Sequence, residues 1–163
     1  MNKEELFDRF IQAINTNDFK VVKQCVEKGV DVNRCYDVSG DTPLFLCMRK
    51  SKDSRIFDYL VDHGADVTKK IGHSKMKDNE KVSLLNCFFH YSNAPVKILY
   101  TILENGGDIH IGYAPKGMKS PLEIAIAARN RKLVSLFNQY LTIKIDLDDL
   151  DRKSNNKTIK NKR

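Results

Sequence analysis

Tryptophan is absent from the 163 residues, and no apolar run approaches the roughly 20 residues that a membrane-spanning helix needs. The opening MNKEELFDRF also lacks the basic, then apolar, then small-residue order of a secretory leader, so the expected location is the cell interior, in the cytoplasm. Cysteine is sparse. Cys25, Cys35, Cys47 and Cys87 fall at uneven intervals with no CxxC pair, which argues against a disulfide framework or a zinc site and predicts reduced thiols. Catalytic signatures are missing as well. His63, His73, His90 and His110 show no HExxH spacing, and no phosphate-binding or dinucleotide glycine pattern follows a strand. Asp146, Asp148, Asp149 and Asp151 lack the glycine turn and the twelfth-position Glu of a calcium loop, and read as a solvated acidic stretch. Neither an enzyme nor a bound cofactor or metal is expected.

Hydrophobic residues make up 41% and charged residues 30%, the balance of a chain that folds, and the length suits one folding unit. The net charge of +7 suggests nucleic acid until it is located along the chain. Residues 152–163 carry Arg152, Lys153, Lys157, Lys160, Lys162 and Arg163 with no acid, so +7 less these six leaves +1 for residues 1–151. That segment has Ile159 as its one apolar residue, and its composition predicts disorder. The expected organisation is a folded domain over residues 1–143 and an acidic, then basic, tail over 144–163.

Internal repetition is the strongest positive signal. Three segments end alike: Val26-Glu27-Lys28-Gly29-Val30-Asp31-Val32, Val61-Asp62-His63-Gly64-Ala65-Asp66-Val67 and Leu103-Glu104-Asn105-Gly106-Gly107-Asp108-Ile109. Each glycine suits the left-handed residue that terminates a helix. Three helix starts recur too, at Thr42-Pro43-Leu44, Ser83-Leu84-Leu85 and Ser120-Pro121-Leu122. There a hydroxyl can cap an orphan N–H, and proline at the first helical position sacrifices no bond. Apolar residues recur at helical spacing between these marks: Phe7, Phe10, Ile11 and Ile14; Val21, Val22, Cys25 and Val26; Ile56, Phe57, Leu60 and Val61; Ile98, Leu99, Ile102 and Leu103; Leu133, Val134, Phe137 and Leu141. Such short helices are unstable alone and must stack. The expected pairs are 3–15 with 18–28, 43–50 with 54–63, 83–91 with 95–105, and 121–129 with 131–141.

Over residues 4–141 these segments resemble the ankyrin repeat, with its Gly-x-Thr-Pro-Leu start, Ala-rich first helix and Gly-Ala-Asp-Val-Asn end. Gly40-Asp41-Thr42-Pro43-Leu44, Gly64-Ala65-Asp66-Val67, Gly29-Val30-Asp31-Val32-Asn33 and Ser120-Pro121-Leu122 with Ala125, Ala127 and Ala128 carry the resemblance. Departures are the replacement of the histidine after Thr-Pro-Leu by Phe45, Asn86 and Glu123, and the lack of a glycine between the paired helices. The resemblance implies an all-α solenoid of four helix-turn-helix repeats with finger loops, and a monomeric module that binds a protein partner. It places the binding surface on finger tips and the inner faces of the first helices. Here that selects Tyr36, Val38, Ser39 and Asp41, Arg49 and Lys50, His90 and Tyr91, and Tyr113, Lys116 and Met118. Tyr, Met and Arg combine large contact area with a polar handle.

Residues 69–81, KKIGHSKMKDNEK, account for most of the longer interval, 42 residues from Gly64 to Gly106 against 35 from Gly29 to Gly64. Lys75 and Lys77 at its centre make it a candidate basic contact for an acidic partner, with a solvated insertion as the plainer reading. A second reading of the whole chain makes residues 152–163 an adaptor for nucleic acid or an anionic membrane surface. The Lys/Asn/Ile-rich style suggests a third, a viral or bacterial factor that sequesters a host or toxin protein.

Overall fold

The computed structural model describes residues 2–50, 53–72, 75, 77, 81–90, 94–107, 121–127 and 129–141, with Phe89 and His90 followed in backbone only. Eight helices account for most of them: α1 (Lys3–Asn15), α2 (Phe19–Glu27), α3 (Pro43–Lys50), α4 (Arg55–Asp62), α5 (Leu84–His90), α6 (Val96–Glu104), α7 (Pro121–Ala127) and α8 (131–141). They fall in the four expected pairs, within a few residues at each end. The expected tail over residues 144–163 lies outside the described residues.

The sequence marks act as their chemistry requires. Asn2 caps α1 by accepting from the Glu5 N–H at 2.8 Å while the Glu5 carboxylate accepts from the Asn2 N–H at 3.0 Å, a reciprocal box that satisfies two orphan donors. Asp18 caps α2 through the Val21 N–H, and the Thr42 and Ser83 hydroxyls accept from Phe45 and Asn86. The second helices of the first three pairs close identically. Gly29, Gly64 and Gly106 hold positive φ, and the residue after each bonds back to the fifth residue before it: Val30 to Cys25, Ala65 to Leu60, Gly107 to Ile102. The turns inside the first and fourth pairs share a different solution. Where the ankyrin pattern has glycine, Asn17 and Arg129 take left-handed backbone, with φ 55° and 52°.

The chain divides into two compact units, Met1–Pro121 and Leu122–Arg163. In the first, α1, α3 and α5 pack side by side as one row and α2, α4 and α6 as a second, each pair joined across the rows. α3 lies inside its row, so every residue from Pro43 to Met48 is buried. Phe10, Ile14, Leu46, Phe57, Leu60, Ile98 and Leu99 fill the space between the rows, and Cys25, Cys47 and Cys87 pack there as small apolar groups. Burial raises all three thiols, that of Cys87 to about 12, far from the thiolate that nucleophilic chemistry needs.

Polar side chains link consecutive repeats where loops meet. Asn33 donates from Nδ2 to the Gly64 carbonyl at 2.8 Å and accepts at Oδ1 from the Asp66 N–H at 2.8 Å, so one amide joins the ends of the first two repeats. Asp58 on α4 pairs with Lys97 on α6 at 2.7 Å and accepts from the Thr101 hydroxyl at 2.7 Å. Burial alone would raise the Asp58 carboxyl, yet hydrogen bonds from Lys97, Thr101 and Ser54 hold it below the usual value. A lowered native pKa adds stability above the unfolded value near 4, lost as the pH falls through the native one. Lys97 is largely exposed, which screens the pair. Asp58→Asn is therefore expected to cost about 1 kcal/mol at pH 7 and less at pH 3, because the advantage shrinks as the pH falls below the unfolded value near 4 towards the lowered native one. Urea midpoints of the two proteins at those pH values measure it.

In the second unit Phe137 and Ala125 are fully buried. The face expected to be buried with Phe137 is only partly so: Leu133, Val134 and Leu141 are half-buried, and Ile126 on α7 is 56% exposed. Helical period marks which residues share a face, but burial depends on what lies opposite.

Candidate protein interface

The loop from Arg34 to Thr42 forms the first finger, and its shape is dictated by Asp37. The Asp37 carboxylate accepts from the Ser39 N–H at 3.0 Å and the Asp41 N–H at 3.1 Å, while its carbonyl accepts from Gly40. One aspartate thus bends the chain back on itself, and the Tyr36 N–H donating to the Asp41 carbonyl closes the base. Val38 is left at the tip, 81% exposed.

A second set of bonds ties the finger to α3. Tyr36 donates its hydroxyl to Asp41 Oδ2 at 3.1 Å, and Arg49 donates from Nη2 to the Tyr36 oxygen at 2.9 Å, with Nη1 3.7 Å from Asp41 Oδ2. The guanidinium also lies over the Phe45 ring, 5.7 Å from its centre. Burial and the Asp41 charge push the Tyr36 hydroxyl up to about 12, which keeps it a donor at any physiological pH. Burial and the Asp37 charge raise the Asp41 carboxyl, against the lowering influence of Tyr36 and Arg49. At the other end of the loop Arg34 pairs with Glu4 at 2.6 Å and covers the Phe7 ring, 4.3 Å from its centre. Both ends of the finger are therefore fixed to first-row helices.

Gly40 fixes the finger from the side. Its φ is +77°, and a Cβ there would sit 2.6 Å from the Gly72 carbonyl oxygen, so the first finger lies directly against the next loop. That loop is gathered at its base by a two-way bridge between Ile71 and Val82, each N–H donating to the other's carbonyl at 2.8 Å. Lys75 and Lys77 beyond it are exposed.

The structure brings Tyr36, Val38, Ser39, Asp41 and Arg49 together, with Lys50 exposed beside Arg49 at the end of α3. They differ in accessibility. Val38, Ser39, Arg49 and Lys50 are exposed, Tyr36 is half-buried, and Asp41 is buried, where it orients Tyr36 and Arg49. His90 ends α5, and Tyr91, Tyr113, Lys116 and Met118 lie outside the described residues. Asp37 and Gly72 were not singled out as site residues. The Asp-x-Ser-Gly spacing could have marked Asp37, whereas the contact of Gly40 with Gly72 joins two loops across the chain and leaves no local trace. No group of three or more His, Cys, Asp or Glu among the described residues could hold a metal ion, and no described helix is long and apolar enough to cross a membrane.

Paired helices closed by identical glycine turns, with a finger between pairs, define a helical repeat protein. Residues 10–61, which span α2, the first finger, α3 and nearly all of α4, match the family model described as ankyrin repeats (many copies). No curated protein matches the chain. Ankyrin repeats generally mediate protein–protein interaction and are typically not enzymes.

Proposed function

We propose that this protein is a non-enzymatic binding module of the cytoplasm, acting as a monomer, that recognises a partner protein through its first finger and the adjoining end of α3. The observation that carries the reading is Val38, an 81% exposed apolar residue at the tip of a loop that three separate contacts hold in place. A loop ordered before binding loses little entropy on association, so an apolar tip flanked by Arg49 and Lys50 can act as an anchor with a polar rim. Exposed Lys75 and Lys77 follow Gly72, the residue that Gly40 meets, in the neighbouring loop, and their positive charge would suit an acidic partner surface.

Val38→Asp tests the reading, because a residue this exposed contributes little to folding. Affinity capture from the native cell lysate with the full chain is expected to lose its specific partner by roughly 10- to 30-fold, the scale of a central anchor, while the thermal midpoint stays put. A partner retained in full by the variant would move the binding surface away from the finger. A chain shortened to residues 1–151 is expected to capture the same partner. Capture that instead vanishes with residues 152–163, with steep salt dependence, would transfer function to the basic segment.

A further inference from the structure

The second unit carries an open groove of about 1050 Å³ along one face of α8. Ile126 and Val134 give it an apolar floor, Ser135 is a small exposed residue on its wall, and Arg129 and Arg131 stand where α7 turns into α8. The turn builds that end. The Arg129 N–H donates to the Ile126 carbonyl at 2.9 Å and the Asn130 N–H to the Ala125 carbonyl at 3.0 Å, with Arg129 in left-handed backbone. The chain thus reverses within a few residues, and the Asn130 side chain caps α8 by accepting from the Leu133 N–H at 3.2 Å.

Charge sets this groove apart from the first unit. There Arg34, Arg49 and Arg55 each pair with a carboxylate. Arg129 and Arg131 are exposed and have no carboxylate partner among the described residues, and no acid among those residues lines the groove. Two uncompensated cations therefore stand beside apolar surface that includes Ile126, 56% exposed.

We propose that the groove receives an acidic amphipathic helix of another protein, with its apolar stripe on Ile126 and Val134 and its carboxylates at Arg129 and Arg131. Carboxylates match the planar two-bond geometry that guanidinium groups offer. From Arg131 to Gln139, α8 rises about 12 Å, so a little over two turns of a partner helix span the groove and bring residues at three- and four-residue spacing onto its floor. A concave surface admits a rod along its length, whereas a flat membrane would touch only its rims.

A labelled peptide about three turns long, with leucines at helical spacing and glutamates in its first turn, where they also favour its own helix, is the probe. By fluorescence anisotropy the full chain is expected to bind it about tenfold tighter than the same peptide with lysine for glutamate. Arg129→Glu with Arg131→Glu is expected to reverse that order, Ile126→Asp to weaken both peptides, and Val38→Asp on the first finger to change neither. All four residues are exposed, so the circular dichroism of each variant should match the parent. Equal affinity for the two peptides, or an order that survives the double arginine substitution, would overturn the proposal. Absence of saturable binding by the glutamate peptide would overturn it as well, and arginine-dependent binding of phosphatidylserine vesicles in that case would make an anionic membrane the occupant.

Discussion

Phe57→Ala is expected to lower the stability of the protein by about 3–5 kcal/mol, the range for removing a buried aromatic ring. Phe57 is fully buried on α4, the middle helix of the second row, which packs against α2, α3 and α6. Its loss therefore loosens the repeat on either side as well as its own. The cavity cannot collapse easily, because closing it means moving two neighbouring helices whose own faces are committed to further contacts. At about 3 °C per kcal/mol for a chain of this size, the thermal midpoint should fall by roughly 10 °C. A conservative Phe57→Leu should restore most of it. A drop no larger than that of an exposed control such as Val96→Ala would mean that α4 is not central to the stack.

Gly40→Ala is expected to have the second-largest effect, and a control within the same protein separates its two causes. Gly29 has almost the same φ, +80° against +77°, but nothing lies within 4 Å of where its Cβ would be, whereas at Gly40 the Gly72 carbonyl oxygen is 2.6 Å away. Gly29→Ala should therefore show the backbone penalty alone, about 1–2 kcal/mol. Gly40→Ala adds a clash with backbone, which cannot swing aside as a side chain can, and should cost about 1–3 kcal/mol more. The displaced finger should also weaken partner capture, although alanine adds nothing at the tip itself. Equal costs for the two substitutions in urea denaturation would show that the two loops are not held together at Gly40.

The helix pairs are legible because each boundary is written in local chemistry. Gly-x-Asp after an apolar face specifies a left-handed stop, and Ser or Thr before Pro or Leu specifies a start, whatever surrounds them. The candidate finger residues Val38 and Arg49 come from the ankyrin resemblance, which places contacts on finger tips and first helices, because a valine in a loop or an arginine at a helix C-terminus is not distinctive by itself. The architecture of the site was not legible, since it rests on contacts between residues distant in sequence: Asn33 with Gly64 and Asp66, Gly40 with Gly72, Asp58 with Lys97. The apolar face of α8 shows the converse limit. Val134 carries the same pattern as Leu99 in α6, yet Leu99 is fully buried and Val134 half-buried, because α6 has a helix against it and the described residues supply no equal cover for Val134. Asn17 and Arg129 mark a third case, in which a glycine is missing from the sequence while the backbone conformation it usually serves is kept.

The two rows of helices also determine how the chain reaches its native state. Most contacts in α1 to α6 join a helix to its own partner or to the next pair, so little loop closure precedes the first stabilising contact. Order can spread outward from any pair that forms, and folding is expected to be fast for a chain of this length. The capped first pair, α1 with α2, leaves the ribosome before the other pairs, so it can serve as the template on which each later pair condenses.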